Sequence, residues 1–361
     1  MMITVRRLAA FAPSLVLFVF PLAAQQDRLP SQINRSRSVT LPGRVPARAR
    51  AGKDLGQVSS SFSMPDLVLL LKGSTVQQQA LTQLIQQQQD PTSSKYHQWL
   101  TPEQYADQFG VSQNDVDTIV QWLQSGGFKG IQVSRSRTYI SFKGTAQQVQ
   151  SAFGTAIDQY SVNGKVHYAN VSNPSIPADL TPVVAGIRGL HDFRWKPRYH
   201  KQATADMTSS NGSHHMAPDD FATIYNVTPL YNAQVDGTGQ SLVVVGQTAI
   251  NTADITAFRN TFQLPAIKLQ QVLVPGRPNP GVVSGDLEES DLDIEWASAV
   301  ARNANIIFVY SDDVWQSAMY AVDQAIAPVL TMSYGGCESY DLVDLPTFQQ
   351  LAQQANAQGM T

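Results

Sequence analysis

The chain has 361 residues, 43% of them hydrophobic and 15% charged, with a formal net charge of −3. That length supports two domains with separate cores, and the near-neutral balance gives no overall field to draw nucleic acid or an anionic membrane. One cysteine, Cys337, excludes an internal disulfide framework and any multi-cysteine metal site, and it is left unpaired.

Met1 to Ala24 has the order of a secretory signal peptide. Arg6 and Arg7 precede the apolar run Leu15 to Phe20, and Leu22-Ala23-Ala24 offers a small-residue cleavage site. The run is shorter than the about 20 residues that a spanning helix needs, with an uncleaved anchor as the alternative. No later segment is apolar enough to span. The mature chain is therefore expected to be secreted, extracellular or periplasmic, with no membrane contact after cleavage. Residues 25–61 are basic, with Arg28, Arg35, Arg37, Arg44, Arg48, Arg50 and Lys53 against Asp27 and Asp54. They read as a flexible lead-in. No aromatics interleave with these charges, so a nucleic-acid partner is not expected.

Residues 62–195 read as one α+β unit. Leu67 to Leu71 is a buried strand, and Val76, Ala80, Leu84 and Ile85 form a helical stripe ending at Asp90-Pro91. Val116, Ile119, Val120 and Leu123 form a second stripe, stopped by Gly126-Gly127. Tyr139 to Phe142 is a strand, and a third helix starts near Thr145. Asn163-Gly164 between Tyr160 and Tyr168 signals a hairpin. Strands alternating with helices at this size suggest a ferredoxin-like sheet with helices on one face. Residues 196–215 are polar and poor in large aliphatics, a linker open to proteolysis.

The pattern changes over residues 216–361. Buried strands at 239–247, 268–274, 304–310 and 329–333 alternate with helices starting near Thr252, in the acidic run, near Val314 and near Phe348. Such alternation means a parallel, doubly wound α/β sheet, whose ligands sit at the carboxyl ends of its strands. Gln247, Tyr310 to Asp313 and Tyr334-Gly335-Gly336 fall at such ends.

The acidic run spans Gly285 to Trp296 and holds Asp286, Glu288, Glu289, Asp291, Asp293 and Glu295, with no Lys or Arg among them. On a helix Glu289 and Asp293 share a face, and so do Asp291 and Glu295. Like charges at this spacing weaken a helix by a few tenths of a kcal/mol per pair, roughly 0.2–0.5. A carboxylate pair can hold one shared proton, the chemistry of an acid/base pair at low pH. The plain alternative is a solvated acidic helix start favoured by the helix dipole.

Glu289-x-x-x-Asp293-Ile294-Glu295-Trp296 resembles the glutamate and aspartate helix of the sedolisins, the serine-carboxyl peptidases. Met332-Ser333-Tyr334-Gly335-Gly336 resembles their segment beside the substrate cleft. Tyr96 to Tyr105, Trp122-Leu123 with Gly126-Gly127-Phe128, Phe142-x-Gly144-Thr145 and Ala152-Phe153-Gly154 resemble the pro-kumamolisin activation domain. The resemblance implies a ferredoxin-like prodomain followed by a subtilisin-like α/β domain, cut between 196 and 215. It implies an acid-acting serine-type endopeptidase or tripeptidyl-peptidase acting on peptides, with the prodomain as intramolecular inhibitor. Carried over, Glu289 is the general base and Asp293 orients it. Gln247 stands where kumamolisin-like members extend the network with a glutamate, and Tyr334 and Gly335 line the cleft. No histidine follows His215, so a histidine-based triad is not available to the C-terminal half.

The family's Gly-Asp-Ser-Gly loop, its Gly-Thr-Ser nucleophile and its one calcium ion belong to later sequence and are not found in these 361 residues. The chain is expected to be an N-terminal part of a precursor, without cofactor or metal ligands of its own and inactive by itself. A secreted, non-catalytic module that binds another peptidase is the alternative. Ser333 reads as a cleft residue rather than a nucleophile, because no strained elbow surrounds it. Gly237-Thr238-Gly239 precedes a strand and so is no phosphate loop. His214-His215 reads as solvated linker, Asp312-Asp313 as a helix cap, and Trp99 and Trp122 as core. Trp315 either lines the cleft or packs.

Overall fold

Two four-stranded sheets, one antiparallel and one parallel, organise the computed structural model, which describes residues 25–41, 45–197, 216–336 and 345–361. The expected signal segment 1–24, the linker from 198 to 215 with His214-His215, and Cys337 lie outside the described residues.

The N-terminal half runs β1 (Ser38–Thr40), α1 (Ala47–Arg50), β2 (Lys53–Gln57), β3 (Ser63–Leu71), α2 (Thr75–Gln89), α3 (Pro102–Phe109) and α4 (Gln113–Ser125). It continues with β4 (Lys129–Val133), β5 (Tyr139–Thr145), α5 (Ala146–Phe153), β6 (Ile157–Val162), β7 (Lys165–Asn170), β8 (Ser175–Pro177), β9 (Val184–Arg188) and β10 (Lys196–Pro197). The antiparallel sheet has the order β4-β5-β3-β9. Three helix starts share one device. Ser74, Thr101 and Thr145 each accept the backbone N–H three residues on, and Gln77, Gln104 and Gln148 reach back to the capping residue. Each box satisfies two donors that a helix start otherwise leaves open. Thr101-Pro102-Glu103-Gln104 is thus the start of α3, a helix that apolar periodicity alone did not indicate.

Residues 25–41 and 45–61 of the stretch 25–61, expected as a loose lead-in, are tied down instead. β1 pairs with β8 and β2 with β6. The Asp115 carboxylate accepts the backbone N–H groups of Arg28 at 2.9 Å and Leu29 at 2.9 Å, and the Arg28 guanidinium donates to the carbonyls of Lys72 and Pro182. Basic composition pointed to disorder because it counts charges. It does not show that those arginines have carbonyl acceptors waiting. The hairpin at Asn163-Gly164 forms as expected, joining β6 to β7 with both turn residues at positive φ.

The C-terminal half contains α6 (Pro218–Ile224), α7 (Thr228–Asn232), β11 (Ser241–Gly246), α8 (Thr252–Thr261), β12 (Lys268–Leu273), α9 (Asp286–Val300) and β13 (Asn305–Tyr310). α10 (Val314–Asp323), β14 (Val329–Thr331), β15 (Tyr334–Gly335) and α11 (Leu345–Ala357) follow. β12-β13-β11-β14 form the parallel sheet. Val244, Ile306 and Phe308 face α8 and α9 through Ile255 and Ile294. Val243, Val245 and Val309 face the other way, onto Val314, Trp315, Ala318 and Met319 of α10. Helices therefore cover both faces, as continuous apolar strands require.

β3 links the halves. Leu67, Leu69 and Leu71 face Ile119 and Leu123 of α4 and Val149 and Phe153 of α5. Val68 and Leu70 point oppositely, into the core built with α10 and, through Phe348 and Leu351, with α11. The stack reads helix, sheet, helix, sheet, helix. α2 joins it sideways: Leu81 packs with Tyr105, Phe109 and Ala357, while Val76, expected in the apolar stripe, is 73% exposed. The stripe is displaced because its cover is α11 of the other half.

The buried Asp115 gives the first test. Asp115→Ala leaves two inward backbone N–H groups without acceptors, an expected loss of about 2–4 kcal/mol. The urea midpoint of the N-terminal half should fall, and trypsin should cut after Arg28 faster. An unchanged midpoint would show that the 25–41 segment holds no stability.

Candidate active site

α9 displays its acids in two sets. At 3.6 residues per turn, Asp286, Glu289, Ser290 and Asp293 line one side, and Asp291, Glu295 and Ser298 lie about opposite. Gly246 lets the helix approach β11, because a Cβ there would stand 2.8 Å from Ser290 Oγ and 2.7 Å from the Phe308 ring. Glu289 is 2% exposed and Ile294 is fully buried. Trp296 packs edge-on to Phe221 at 5.9 Å, whereas Leu292 lies at the surface.

The first set faces the carboxyl ends of the parallel strands. Ser333, just after β14, donates its hydroxyl to Asp293 Oδ1 at 2.7 Å. Asp293 Oδ2 is buried without a partner. Burial, and next the charge of Glu289, push the Asp293 carboxyl up to about 6, against the Ser333 hydrogen bond that pulls it down. Gln247, at the end of β11, donates through Nε2 to Asp286 Oδ1 at 2.9 Å and to the Trp195 carbonyl at 2.9 Å. Burial raises Asp286 as well. Tyr334 is buried, and its hydroxyl sits among Asp286, Ser290 and Glu289. The structure thus brings together Glu289, Asp293, Gln247 and Tyr334. Gly335 serves differently: β15 pairs antiparallel with β10, Gly335 opposite Lys196 and Tyr334 opposite Pro197. Residues 196–197, expected as the start of a linker, are therefore a strand laid into the mouth of the site.

Sequence reasoning missed one contributor: Asp286, noted only as one of six acids, is the carboxylate that Gln247 holds. Ser333, read as a cleft residue, touches the site through Asp293.

An ionic cluster joins the halves beside this mouth. Arg194 donates to Asp313 at 2.6 Å, Asp66 at 3.1 Å and Asp312 at 3.2 Å. Arg277 pairs with Asp312 at 2.6 Å and also with Asp66. Asp313 keeps its expected capping role, accepting the Trp315 N–H at 3.1 Å. Burial pushes Asp313 up, but Arg194, Arg188 and Arg277 outweigh it and hold the carboxyl below its usual range. Asp312 goes the other way, raised by burial against the pull of Arg277.

Among the described residues no group of three or more His, Cys, Asp or Glu side chains is disposed to hold a metal ion. The calcium ion implied by the resemblance has no ligand set there, and no step below is routed through it. Among the described residues no helix is long and apolar enough to cross a membrane.

The paired acids lie at the strand ends, with the chain's own N-terminal half laid against them. Comparison with known proteins gives likenesses along most of the chain. The family "Pro-kumamolisin, activation domain" matches residues 51–193. Sedolisin from Pseudomonas sp. (strain 101) is 26% identical over 343 residues, covering 90% of this chain and 57% of sedolisin. Xanthomonalisin from Xanthomonas sp. (strain T-22) is 31% identical over 180 residues, 46% of this chain and 21% of xanthomonalisin. Human tripeptidyl-peptidase 1 is 23% identical over 303 residues, 78% of this chain and 53% of that protein. A solved structure of Pseudomonas sedolisin, a serine-carboxyl proteinase complexed with two molecules of pseudo-iodotyrostatin, matches 44% of each chain at 19% identity and a TM-score of 0.35. Nothing below rests on that structural likeness. The chain is similar to sedolisin-type peptidases and carries a match to the activation domain of their kumamolisin-type precursors. It spans little more than half the length of sedolisin and of tripeptidyl-peptidase 1.

The second acid set of α9 gives a pH test. Burial, then Asp291 and Asp254, push Glu295 up to about 7, and burial with Asp254 pushes Asp291 up to about 6. Folding favours the protonated acids. The stability they contribute is complete below about pH 4 and is lost as pH rises through 6 to 7. Glu295→Gln should therefore raise the melting temperature at pH 7.5 by about 2–4 °C and leave it unchanged at pH 4. A larger gain at pH 4 than at pH 7.5 would reverse the assignment.

Proposed function

We propose that the whole protein is a secreted, acid-acting serine-carboxyl endopeptidase made as a precursor. Its N-terminal half is a ferredoxin-like prodomain, and its C-terminal half begins a subtilisin-like α/β peptidase domain. The strand order β4-β5-β3-β9 supports the first reading, and the parallel sheet covered by helices on both faces supports the second. The observation that carries the function is one arrangement. Glu289, buried, and Asp293, half-buried, lie one turn apart at the strand ends, and β10 of the chain's own N-terminal half pairs with the adjoining β15.

Glu289 takes the general-base role toward a serine hydroxyl. Asp293 supports it as the protonated partner. With its carboxyl pushed up to about 6, Asp293 is a neutral acid at pH 4 to 5, and Oδ2, buried without an acceptor, is where its proton has most to gain. No described serine is assigned as the nucleophile, since Ser333 meets the supporting acid rather than the base.

The N-terminal half acts as intramolecular inhibitor by laying Lys196 and Pro197 along Tyr334 and Gly335 as a substrate backbone would lie. Release follows acid. The group that works for release is Asp313, which, against burial, Arg194, Arg188 and Arg277 hold below its usual range while the halves are together. Its protonation as pH falls is therefore linked to their parting, whereas Asp312, raised by burial, does not drive it. Cleavage after release falls within 196–215, and the protein is exported by its first 24 residues.

Glu289→Gln and Asp293→Asn in the whole precursor should slow its conversion at pH 4 by about 10²–10⁴-fold, the usual worth of a positioned acid or base. A gel time course with N-terminal sequencing of the product reads this. Conversion of the Glu289→Gln precursor at the parent rate in dilute solution would remove Glu289 as base.

A further inference from the structure

Trp195 is the residue at which the N-terminal half enters the site. Its indole is buried against two aromatic side chains of the other half. It stacks on Phe348 at 5.1 Å between centroids and 20° between planes, and it lies 4.9 Å from Trp315. Trp315 and Phe348 meet edge-on at 4.2 Å and 68°. They stand in the first turns of α10 and α11, so two helix starts fix an L-shaped aromatic slot.

The backbone at Trp195 is handled separately. Its carbonyl accepts from Gln247 Nε2 at 2.9 Å, and the next two residues pair with Gly335 and Tyr334. A side chain of the core would need none of this. One side chain in a slot, its carbonyl on a fixed amide and the following residues on a strand edge together make up the way a cleft reads an extended peptide. Gln247 is itself fixed, because Asp286 takes its second N–H and Val314 N–H reaches its Oε1 at 3.4 Å.

Trp195 also fits the slot incompletely. The Trp315 Nε1–H is buried without an acceptor. The Arg188 guanidinium that lies 4.9 Å over the Trp315 ring belongs to β9 and leaves with the N-terminal half. What remains is an apolar slot with one unsatisfied donor.

We propose that the slot between Trp315 and Phe348, with Gln247 at its rim, is a substrate subsite selecting an aromatic side chain, for which Trp195 is the internal placeholder. The selected residue is the one immediately before the two that pair with Gly335 and Tyr334. The proposal rests on the peptidase reading above. It adds the substrate class: peptides with Trp, Tyr or Phe on the amino side of the paired segment. Tyr is admitted with the others, since its hydroxyl is an acceptor that the unsatisfied indole N–H can use.

The test uses the processed whole enzyme at pH 4 and peptides of one framework, Xaa-Lys-Pro followed by a constant sequence, with Xaa Trp, Tyr, Phe, Leu or Ala. The three aromatic peptides should exceed the Ala peptide in kcat/KM by about 10- to 100-fold, the range that burial of one large apolar side chain gives. Trp315→Ala and Phe348→Leu should each reduce that ratio to a few-fold. Equal kcat/KM across the series, or a ratio that both variants leave intact, overturns the proposal. If the parent cleaves none of the peptides, it is the peptidase reading that fails, and binding then decides the slot. The full chain carrying Trp195→Ala is titrated with N-acetyltryptophanamide, with N-acetylalaninamide as control. A saturable rise in melting temperature for the indole compound alone supports the slot. No shift in a chain whose circular dichroism matches the parent rejects it.

Discussion

β3 is buried on both faces, and the arrangement of the molecule follows from that. A strand offers alternate side chains to opposite sides. Here both sides are apolar, so the strand cannot end at the surface of its own domain. Leu67, Leu69 and Leu71 find cover in α4 and α5. Val68 and Leu70 find it mainly in the other half, in the core built with α10. Once that contact forms, β9 and the segment after it have one way to run. Arg194, Trp195 and β10 are carried past the start of α10 into the mouth of the parallel sheet. The position of β10 is a consequence of where the N-terminal sheet must bury its second face.

The acids of α9 show the opposite kind of constraint. Burying a carboxylate without a counter-ion is costly, and the helix buries Glu289 and half-buries Asp291, Asp293 and Glu295. The cost is met by keeping protons. Asp293, Asp291 and Glu295 are all displaced upward, mainly by burial. At low pH these acids are neutral. In the Arg194 and Arg277 cluster between the halves Asp313 runs against this trend, its carboxyl held below the usual range by its arginines, whereas Asp312 is raised by burial like the acids of α9.

Much of the architecture was legible from pattern. The apolar runs at 67–71, 241–246 and 305–310 are strands, Asn163-Gly164 is a hairpin turn, and Glu289 and Asp293 share a helix face. Those readings depend on local periodicity and turn chemistry, which the tertiary fold did not override. The lead-in at 25–61 was misread because its order depends on acceptors far away in sequence, Asp115 and the carbonyls of Lys72 and Pro182. α3 was missed because its signal is a capping box with a proline at the first helical position rather than an apolar stripe.

The sequence by itself determined which elements form, because a strand or helix is set by residues within a turn or two of one another. It also determined which chemistry is available: clustered carboxylates on one helix, and no histidine beside them. Only the tertiary structure decided which of six acids does what. Glu289 and Asp293 face Ser333 and the strand ends, Asp286 is engaged by Gln247, and Asp291 and Glu295 turn toward α8. The tertiary fold also decided that Lys196-Pro197 form a strand beside the site, with the Trp195 carbonyl on Gln247. The physical reason is the same for both. Burial, and with it proton affinity and strand pairing, depends on neighbours 40 to 140 residues away along the chain, and a single sequence carries no record of which distant residues will meet.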